Sequence, residues 1–367
     1  MTMRIVVIGA GVMGASVAYR AALAGASVTV LEAGRLGGGT SSCSFAWTNS
    51  NEKTPRSYYE LNLAGMRAHA ALAEEFGGAP WWHGGGCVEW EAPADRAVLE
   101  TKIERLQAWG YAAEWITPKQ LLDLEPDIDP AQIGDEPIAY YRDEGWLDPV
   151  VYIGAMLGAA RSHGATVLQD TRVAETIVAG GRMTGVKTVS GQVFEADAVV
   201  NCAGRWANDP VADAGLHLPL APTVGLLGFT PPVAARVGRI IRSPGVHARP
   251  DGAGRLVCID PVEEVPPFDP HPSASLPQGA ELMRRLRRLL PVVGDVQVEA
   301  LRMAIRPIPA DSYSAVGPIP RVDGYYVAIT HSAVTMSPFL GAMVADEIVH
   351  RRQCALLADF RPARFYN

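Results

Sequence analysis

The chain has 367 residues, enough for two domains or one large one. With 48% hydrophobic and 19% charged residues it suits a globular protein with a substantial core, which excludes a disordered or fibrous chain. A net charge of −7 argues against nucleic acid or an anionic membrane surface as a partner.

Arg4–Ile8 is a short apolar run, sized for one buried strand. Gly9, Gly11 and Gly14 follow with GxGxxG spacing, Ala15–Ala24 reads as a helix, and Ser27–Leu31 reads as a second strand that ends on Glu32. In such a unit Gly9 permits a tight turn, Gly11 lets a pyrophosphate approach the backbone, and Gly14 lets helix and strand pack closely. The helix start offers free N–H groups and partial positive charge to phosphates. Val12 and Met13, between the glycines, and Ala33, after the acid, are further expected contacts. Glu32 stands where a carboxylate binds a ribose hydroxyl, which favours an unphosphorylated ribose and so NAD or FAD over NADP. Arg4–Ala24 imitates a signal peptide, but three glycines at working spacing make it strand-turn-helix.

Residues 33–55 form a long loop rich in small and polar residues, and such loops are usually functional. Tyr58–Phe76 reads as a helix, 81–90 as a strand region, Ala94–Trp109 and Pro118–Leu124 as helices. Val151–His163 has helical periodicity and Ala165–Gln169 is strand-like. Arg172–Val178 and Met183–Val189 look like antiparallel strands joined at Gly180-Gly181, and Ala198–Asn201 is a buried strand. Further on, strand-like runs occur at Arg239–Ile241, Leu256–Ile259, Val296–Leu301 and Tyr325–Ile329, and Pro338–His350 reads as a helix. The one basic cluster, Arg284-Arg285-Leu286-Arg287-Arg288, reads as the exposed face of a short helix ending at Pro291. The five cysteines, Cys43, Cys87, Cys202, Cys258 and Cys354, show no CxxC pair and no zinc spacing. A reduced, cytoplasmic protein is expected. No apolar run reaches the roughly 18 residues of a membrane span, so no membrane segment is expected.

The nucleotide-binding pieces are thus scattered, at 1–79, 146–214 and 321–367, and a second domain at 80–145 and 215–320 is expected between them. A nicotinamide dehydrogenase usually completes its cofactor domain in one run, so this layout favours a flavin enzyme.

Four segments in order resemble the D-amino-acid oxidase superfamily, in particular its glycine oxidase and sarcosine oxidase branch. They are Gly9–Glu32, the Gly39–Trp47 loop, the Val199–Trp206 stretch with Ala203-Gly204, and Ala304-Ile305-Arg306-Pro307 followed by Gly324–Pro338. The resemblance implies an α/β fold: a Rossmann-like FAD-binding domain of glutathione reductase type, with an inserted α+β substrate domain on a mixed or antiparallel sheet. It implies FAD contacts from Thr40, Ser41, Phe45, Ala46, Trp47, Val173, Ala203, Gly204 and Trp206. It adds His331, Ser332, Val334, Thr335 and Met336, where the start of a helix near Pro338 could stabilise negative charge on a reduced flavin. For Ser332 and Thr335 ordinary helix capping is the alternative.

Arg306 is the expected clamp for a substrate carboxylate, since a guanidinium forks onto a carboxylate with two parallel hydrogen bonds. Ionic pairing with an Asp or Glu is its alternative role. The implied reaction passes hydride from the α-carbon to the flavin, and water hydrolyses the imine. Arg302–Ser314 holds no cysteine, so FAD is expected to be non-covalent. The lysines are Lys53, Lys102, Lys119 and Lys187, none in the 240–270 region where sarcosine oxidases keep one for oxygen. Dioxygen remains the expected acceptor. Glycine oxidases carry a tyrosine near the segment matching Gly245–Arg249 and this chain has none, which opens the pocket to a larger amine. Trp47, Tyr140 and Tyr141 could shape an apolar channel, or simply pack in the core. The whole is similar to the glycine oxidase-type enzymes of macrolactam pathways, which cleave an N-carboxymethyl β-amino acid to glyoxylate and a 3-amino fatty acid. His247, Arg249 or Arg242 could bind the second carboxylate of such a substrate. The expected partner is thus a small amino acid or N-substituted glycine, and the expected state a monomer or small homo-oligomer. A D-amino-acid or sarcosine-like oxidase or dehydrogenase, a non-catalytic flavin-binding subunit, and a nicotinamide dehydrogenase stay open as alternatives.

Overall fold

The computed structural model describes residues 2–221, 223–261 and 265–366. Positions 1, 222, 262–264 and 367, which fall within the predicted domain pieces, lie outside the described residues. Seven α-helices are described: α1 (Val12–Leu23), α2 (Arg56–Glu75), α3 (Arg96–Ala108), α4 (Pro118–Leu124), α5 (Pro149–Ser162), α6 (Pro277–Leu289) and α7 (Ala333–His350).

Arg4–Ile8 is the centre of a six-stranded sheet because its apolar residues are covered on both faces. Parallel strands buried on both sides read as continuous apolar runs. Ser27–Leu31 and Ala198–Asn201 pair with it in parallel, Thr166–Leu168 lies outside the first, and Tyr325–Ile329 outside the second. Ala315–Pro318, from the 215–320 stretch, closes that edge as an antiparallel strand. Side chains alternate across the sheet. Ile5 and Val7 face α1, α5 and α7, whereas Val6 and Ile8 face the three-stranded sheet made by 173–179, 182–188 and 193–195. Helices α1 and α7 approach closely, since a Cβ on Gly341 would stand 2.6 Å from the Ser16 Cβ.

A second, eight-stranded sheet runs in the order 300–306, 223–229, 256–259, 247–250, 240–242, 87–89, 138–141, 113–116. All its pairs are antiparallel except the one between Ile240–Arg242 and Cys87–Glu89. One face is covered by Leu282, Met283, Leu286 and Leu289 of α6. The other packs on Leu99, Ile103 and Leu106 of α3. A small sheet of 47–48, 145–147 and 82–83 lies apart from both. The α/β class with a Rossmann-like sheet and a second, mixed sheet is therefore as expected.

Two elements are shifted well away from their predicted positions. The strand expected at Val296–Leu301 forms at Ala300–Arg306, paired along its whole length with Thr223–Phe229, a strand not anticipated. Gly225 and Gly228 obscure that strand in the sequence; Gly228 is there because a Cβ would meet Leu282 of α6 at 2.9 Å. The last helix begins at Ala333, not near Pro338. Proline lacks an N–H and so deprives the Val334 carbonyl of its helical donor. His69 of α2 supplies one instead, with Nε2 3.0 Å from that oxygen.

Candidate functional site

The parallel strands end at one edge, where open α/β sheets bind ligands. The chain turns at Gly9, whose φ of +95° suits glycine and whose Cβ would meet the Cys202 carbonyl oxygen at 2.8 Å. A Cβ on Gly14 would stand 1.9 Å from the Gly9 carbonyl oxygen, so Gly14 lets α1 close on the turn. The N-terminus of α1 has no side-chain cap at Gly11, and the Val12 N–H donates to Ser41 Oγ at 3.2 Å. Glu32, at the end of the second strand, accepts the N–H groups of Ala10 at 2.8 Å and Gly34 at 3.0 Å. Its oxygens keep lone pairs for a ligand hydroxyl.

A cavity of about 430 Å³ opens here, the size of a ligand or cofactor site. The structure brings to it Gly9, Gly11, Val12, Met13, Glu32, Ala33, Thr40, Ser41, Val173, Ala203, Gly204, Trp206, His331 and Val334. Arg35, Arg172, Asp209 and Pro307 also line it and were missed. Arg172 and Pro307 are direct neighbours of Val173 and Arg306, and Arg35 follows the strand carrying Glu32; strand-end adjacency was the available signal. The two ends of the cavity suit a dinucleotide. One holds the Glu32 carboxylate and the start of α1, and the other holds Ala333 and Val334, the first residues of α7. Ser332 precedes that helix without a side-chain cap bond. The residues present therefore fit FAD.

Several predicted contacts lie elsewhere. Phe45, Ala46 and Trp47 do not line the cavity. The Phe45 carbonyl accepts from Arg249 Nε, and Ala46 is buried. Trp47 pairs with Trp146 across the small sheet, and its indole N–H donates to Glu144 at 2.7 Å. Ser332, Thr335 and Met336 turn inward from the cavity. Ser332 Oγ meets Tyr58 OH at 3.1 Å, Thr335 Oγ1 accepts the Asn49 N–H at 3.3 Å, and Met336 is fully buried. Neither hydroxyl caps the helix. Arg249 is consumed by the Phe45 and Pro250 carbonyls and Asp251. Arg242 is paired with Glu52 and Glu89 and stacks on Trp47 at 4.7 Å. His247 sits beside Arg242, and burial holds its imidazole neutral, with a pKa pushed down to about 3. Tyr140 and Tyr141 belong to the second sheet, bonded to the Gly85 carbonyl and Glu89.

Arg306 ends the strand Ala300–Arg306, between the Ile305 carbonyl, which accepts the Thr40 hydroxyl at 2.8 Å, and cavity-lining Pro307. It is half-buried, and its Nη2 donates to the Val224 carbonyl at 3.2 Å. In the Arg284–Arg288 cluster, Arg284 pairs with Glu281, Arg285 with Glu281 and Asp260, and Arg287 with Asp295. Among the described residues no helix is long and apolar enough to cross a membrane.

Residues 47–53 are held at nearly every position. The Ser50 N–H donates to Tyr111 OH at 3.1 Å, and Asn51 Nδ2 donates to Glu144 at 2.8 Å. Glu52 accepts Lys102 Nζ at 2.9 Å and Arg242 Nη1 at 2.7 Å. Burial raises the Glu52 carboxyl, but these two cations bring it down to about 2. Burial pushes Glu144 up to about 8, against the pull of the Tyr111 and Trp47 donors.

A glycine oxidase of Bacillus licheniformis is 25% identical over 354 residues, covering 94% of this chain and 92% of its own. One of Geobacillus kaustophilus is 27% identical, covering 98% and 96%. The crystal structure of glycine oxidase from Geobacillus kaustophilus superposes with a TM-score of 0.87 at 25% identity, over 99% of both chains. That of iminodiacetate oxidase from Chelativorans sp. BNC1 shares the fold, with a TM-score of 0.85 at 22% identity, over 98% and 99%. The family model for FAD dependent oxidoreductases, DAO, matches residues 4–347, and the chain belongs to that family.

Proposed function

We propose that this FAD-dependent amine oxidoreductase oxidises an N-substituted glycine, of the N-carboxymethyl-3-amino acid type, to glyoxylate and a primary amine. The observation that carries the reading is the place of Arg306 in the chain, between Ile305, whose carbonyl holds cavity-lining Thr40, and Pro307, which itself lines the cavity. Likeness to glycine oxidases supports an amino acid or its N-substituted relative as substrate. FAD, held without a covalent bond, would supply the hydride-accepting chemistry for the carbon beside nitrogen, and dioxygen is the proposed terminal acceptor. Glu32 and the start of α1 would hold the adenosine and phosphates. His331 and Val334 would lie at the flavin end. Arg306 would fork onto the substrate carboxylate and fix the α-carbon, and orientation is most of what the protein contributes to such a reaction. The domain division at 80–145 and 215–320, with Arg306 supplied by the second piece and the strand Ala315–Pro318 given over to the first sheet, is part of the same proposal.

Arg306→Ala is expected to lower kcat/KM by about a hundredfold, since two charge-assisted hydrogen bonds disappear. Its FAD content should stay that of the parent. The assay follows glyoxylate from N-alkylglycines and keto acid from D-amino acids. Full activity in Arg306→Ala would refute the clamp, and much faster keto acid release from D-amino acids would refute the N-substituted glycine.

A further inference from the structure

Part of the cofactor cavity's wall is the short helical turn Thr40–Cys43, of which Thr40 and Ser41 line the cavity. The chain around this turn is gripped from two sides. The Gly37 N–H donates to the Ala10 carbonyl at 3.1 Å, and Ser41 Oγ accepts the Val12 N–H at 3.2 Å, so both are tied to the nucleotide-binding unit. The fit there is close, since a Cβ on Gly11 would stand 3.0 Å from Ser41 Oγ. Thr40, Ser42 and Phe45 are tied to the second sheet instead. The Thr40 hydroxyl donates to the Ile305 carbonyl at 2.8 Å, Arg302 Nη1 donates to the Ser42 carbonyl at 3.4 Å, and Arg249 Nε donates to the Phe45 carbonyl. Ile305 and Arg302 lie on one strand of that sheet and Arg249 on another.

The two neighbouring hydroxyls are therefore spent differently. A hydroxyl has one hydrogen to give and two lone pairs to receive with. Thr40 gives its hydrogen to Ile305, so it can offer the cavity only lone pairs. A phosphate oxygen is itself an acceptor and gains nothing from them. Ser41 receives from Val12, and among the described residues no acceptor takes its hydrogen. That hydroxyl stands at the start of α1, where a phosphate is favoured. The Thr40 bond also falls at a strand end. Ala300–Arg306 is the outermost strand of its sheet and pairs on one side only, with Thr223–Phe229. Its last residues lead to Pro307, which lines the cavity and has no N–H to anchor it.

We infer that Thr40 is a positioning residue and not a phosphate ligand. Its hydroxyl fastens the end of the second sheet, and with it Arg306, to the wall of the cofactor cavity, while the adjacent Ser41 hydroxyl donates to a cofactor phosphate. The clause on Arg306 rests on the amine-oxidation reading above; the division between the two hydroxyls does not.

Three variants separate the hydroxyls: Thr40→Val, which keeps the shape, Thr40→Ser, which keeps the hydroxyl, and Ser41→Ala. FAD affinity, measured by release from diluted holoenzyme, should fall about tenfold in Ser41→Ala and change less than about threefold in Thr40→Val. Hydrogen exchange of holoenzyme peptides covering 300–308 should speed up about fivefold in Thr40→Val and keep the parent rate in Thr40→Ser and Ser41→Ala. Thr40→Val that weakens FAD as much as Ser41→Ala does, or that leaves the exchange unchanged, overturns the proposal. Ser41→Ala with the parent's FAD affinity overturns it as well. The effect on Arg306 is read by titrating the flavin absorbance of the holoenzyme with acetate. Thr40→Val should weaken acetate about fivefold, and Thr40→Ser should restore it. Acetate bound equally by the parent and Thr40→Val overturns the positioning role. If Arg306→Ala binds acetate as well as the parent does, the clamp fails, while Thr40 and Ser41 are still judged by FAD affinity and exchange.

Discussion

Three donors converge on the buried carboxyl of Glu144: the Trp47 indole, the Asn51 amide and the Tyr111 hydroxyl. Burial nevertheless favours the neutral acid, with a pKa of about 8. In that form the Tyr111 oxygen accepts the carboxyl proton and its own hydrogen turns to Met66 Sδ, 3.5 Å away. A carboxyl whose folded pKa is raised stabilises the fold below its unfolded value, and that contribution is lost as pH rises through the folded one. Stability should therefore fall between pH 5 and 8, and Glu144→Gln should remove that slope in urea unfolding. Its amide keeps the same partners once the Asn51 amide, whose oxygen has no partner, is turned over. Glu144→Ala strands all three donors and should cost about 3 kcal/mol or more. No signal in the sequence marked Glu144, because its role depends on partners 33 and 97 positions away.

At the scale of elements, α7 shows how a helix start is moved by a neighbour. Pro338 reads as a first-turn residue, since proline is common there. Here it lies inside the helix, and His69 of α2 fills the bond that it cannot make. Burial keeps that imidazole neutral, with a pKa pushed down from 6.5 to about 4. A histidine with a lowered folded pKa stabilises above its unfolded value, and the contribution is lost as pH falls through the folded one. Acid should thus weaken the fold between about pH 6.5 and pH 4. His69→Gln, which keeps a donor and does not titrate, should flatten this limb in unfolding curves. His69→Phe leaves the Val334 carbonyl unpaired and should cost about 1–3 kcal/mol. The two titrations oppose each other near pH 5 to 6, so each is read from the difference between variant and parent. Strands with strong apolar runs, such as Arg4–Ile8, Ser27–Leu31 and Leu256–Ile259, were legible because burial on both faces writes itself into composition. Thr223–Phe229 was not, because two glycines interrupt its apolar run, and Gly228 serves packing against α6 that is invisible along the chain.

At the scale of the molecule, the cofactor cavity is lined from residues 8–44, 172–210, Pro307 and 328–334. A ligand bound there contacts all four stretches, so its binding is linked to the stability of the whole. Removal of FAD should lower the melting temperature, and excess FAD should restore it, by about 2.7 kcal/mol at a concentration one hundred times Kd. Thermal denaturation with and without added FAD measures this. The yellow chromophore should leave the protein on acid precipitation, because Arg302–Ser314 offers no cysteine for attachment.

The sequence by itself determined the nucleotide-binding unit. Its glycines, its strand and its acid act within 30 residues of one another, so local spacing carries the chemistry. It also marked the remote segments that reach the cavity, through their ordered likeness to the D-amino-acid oxidase superfamily. Tertiary structure alone decided the rest. It turned Trp47, Thr335 and Met336 away from the cavity and paired Arg242 and Arg249 internally. Such outcomes depend on which carboxylate or carbonyl arrives from distant strands, and side-chain pairing across a fold has no period that a linear reading can detect.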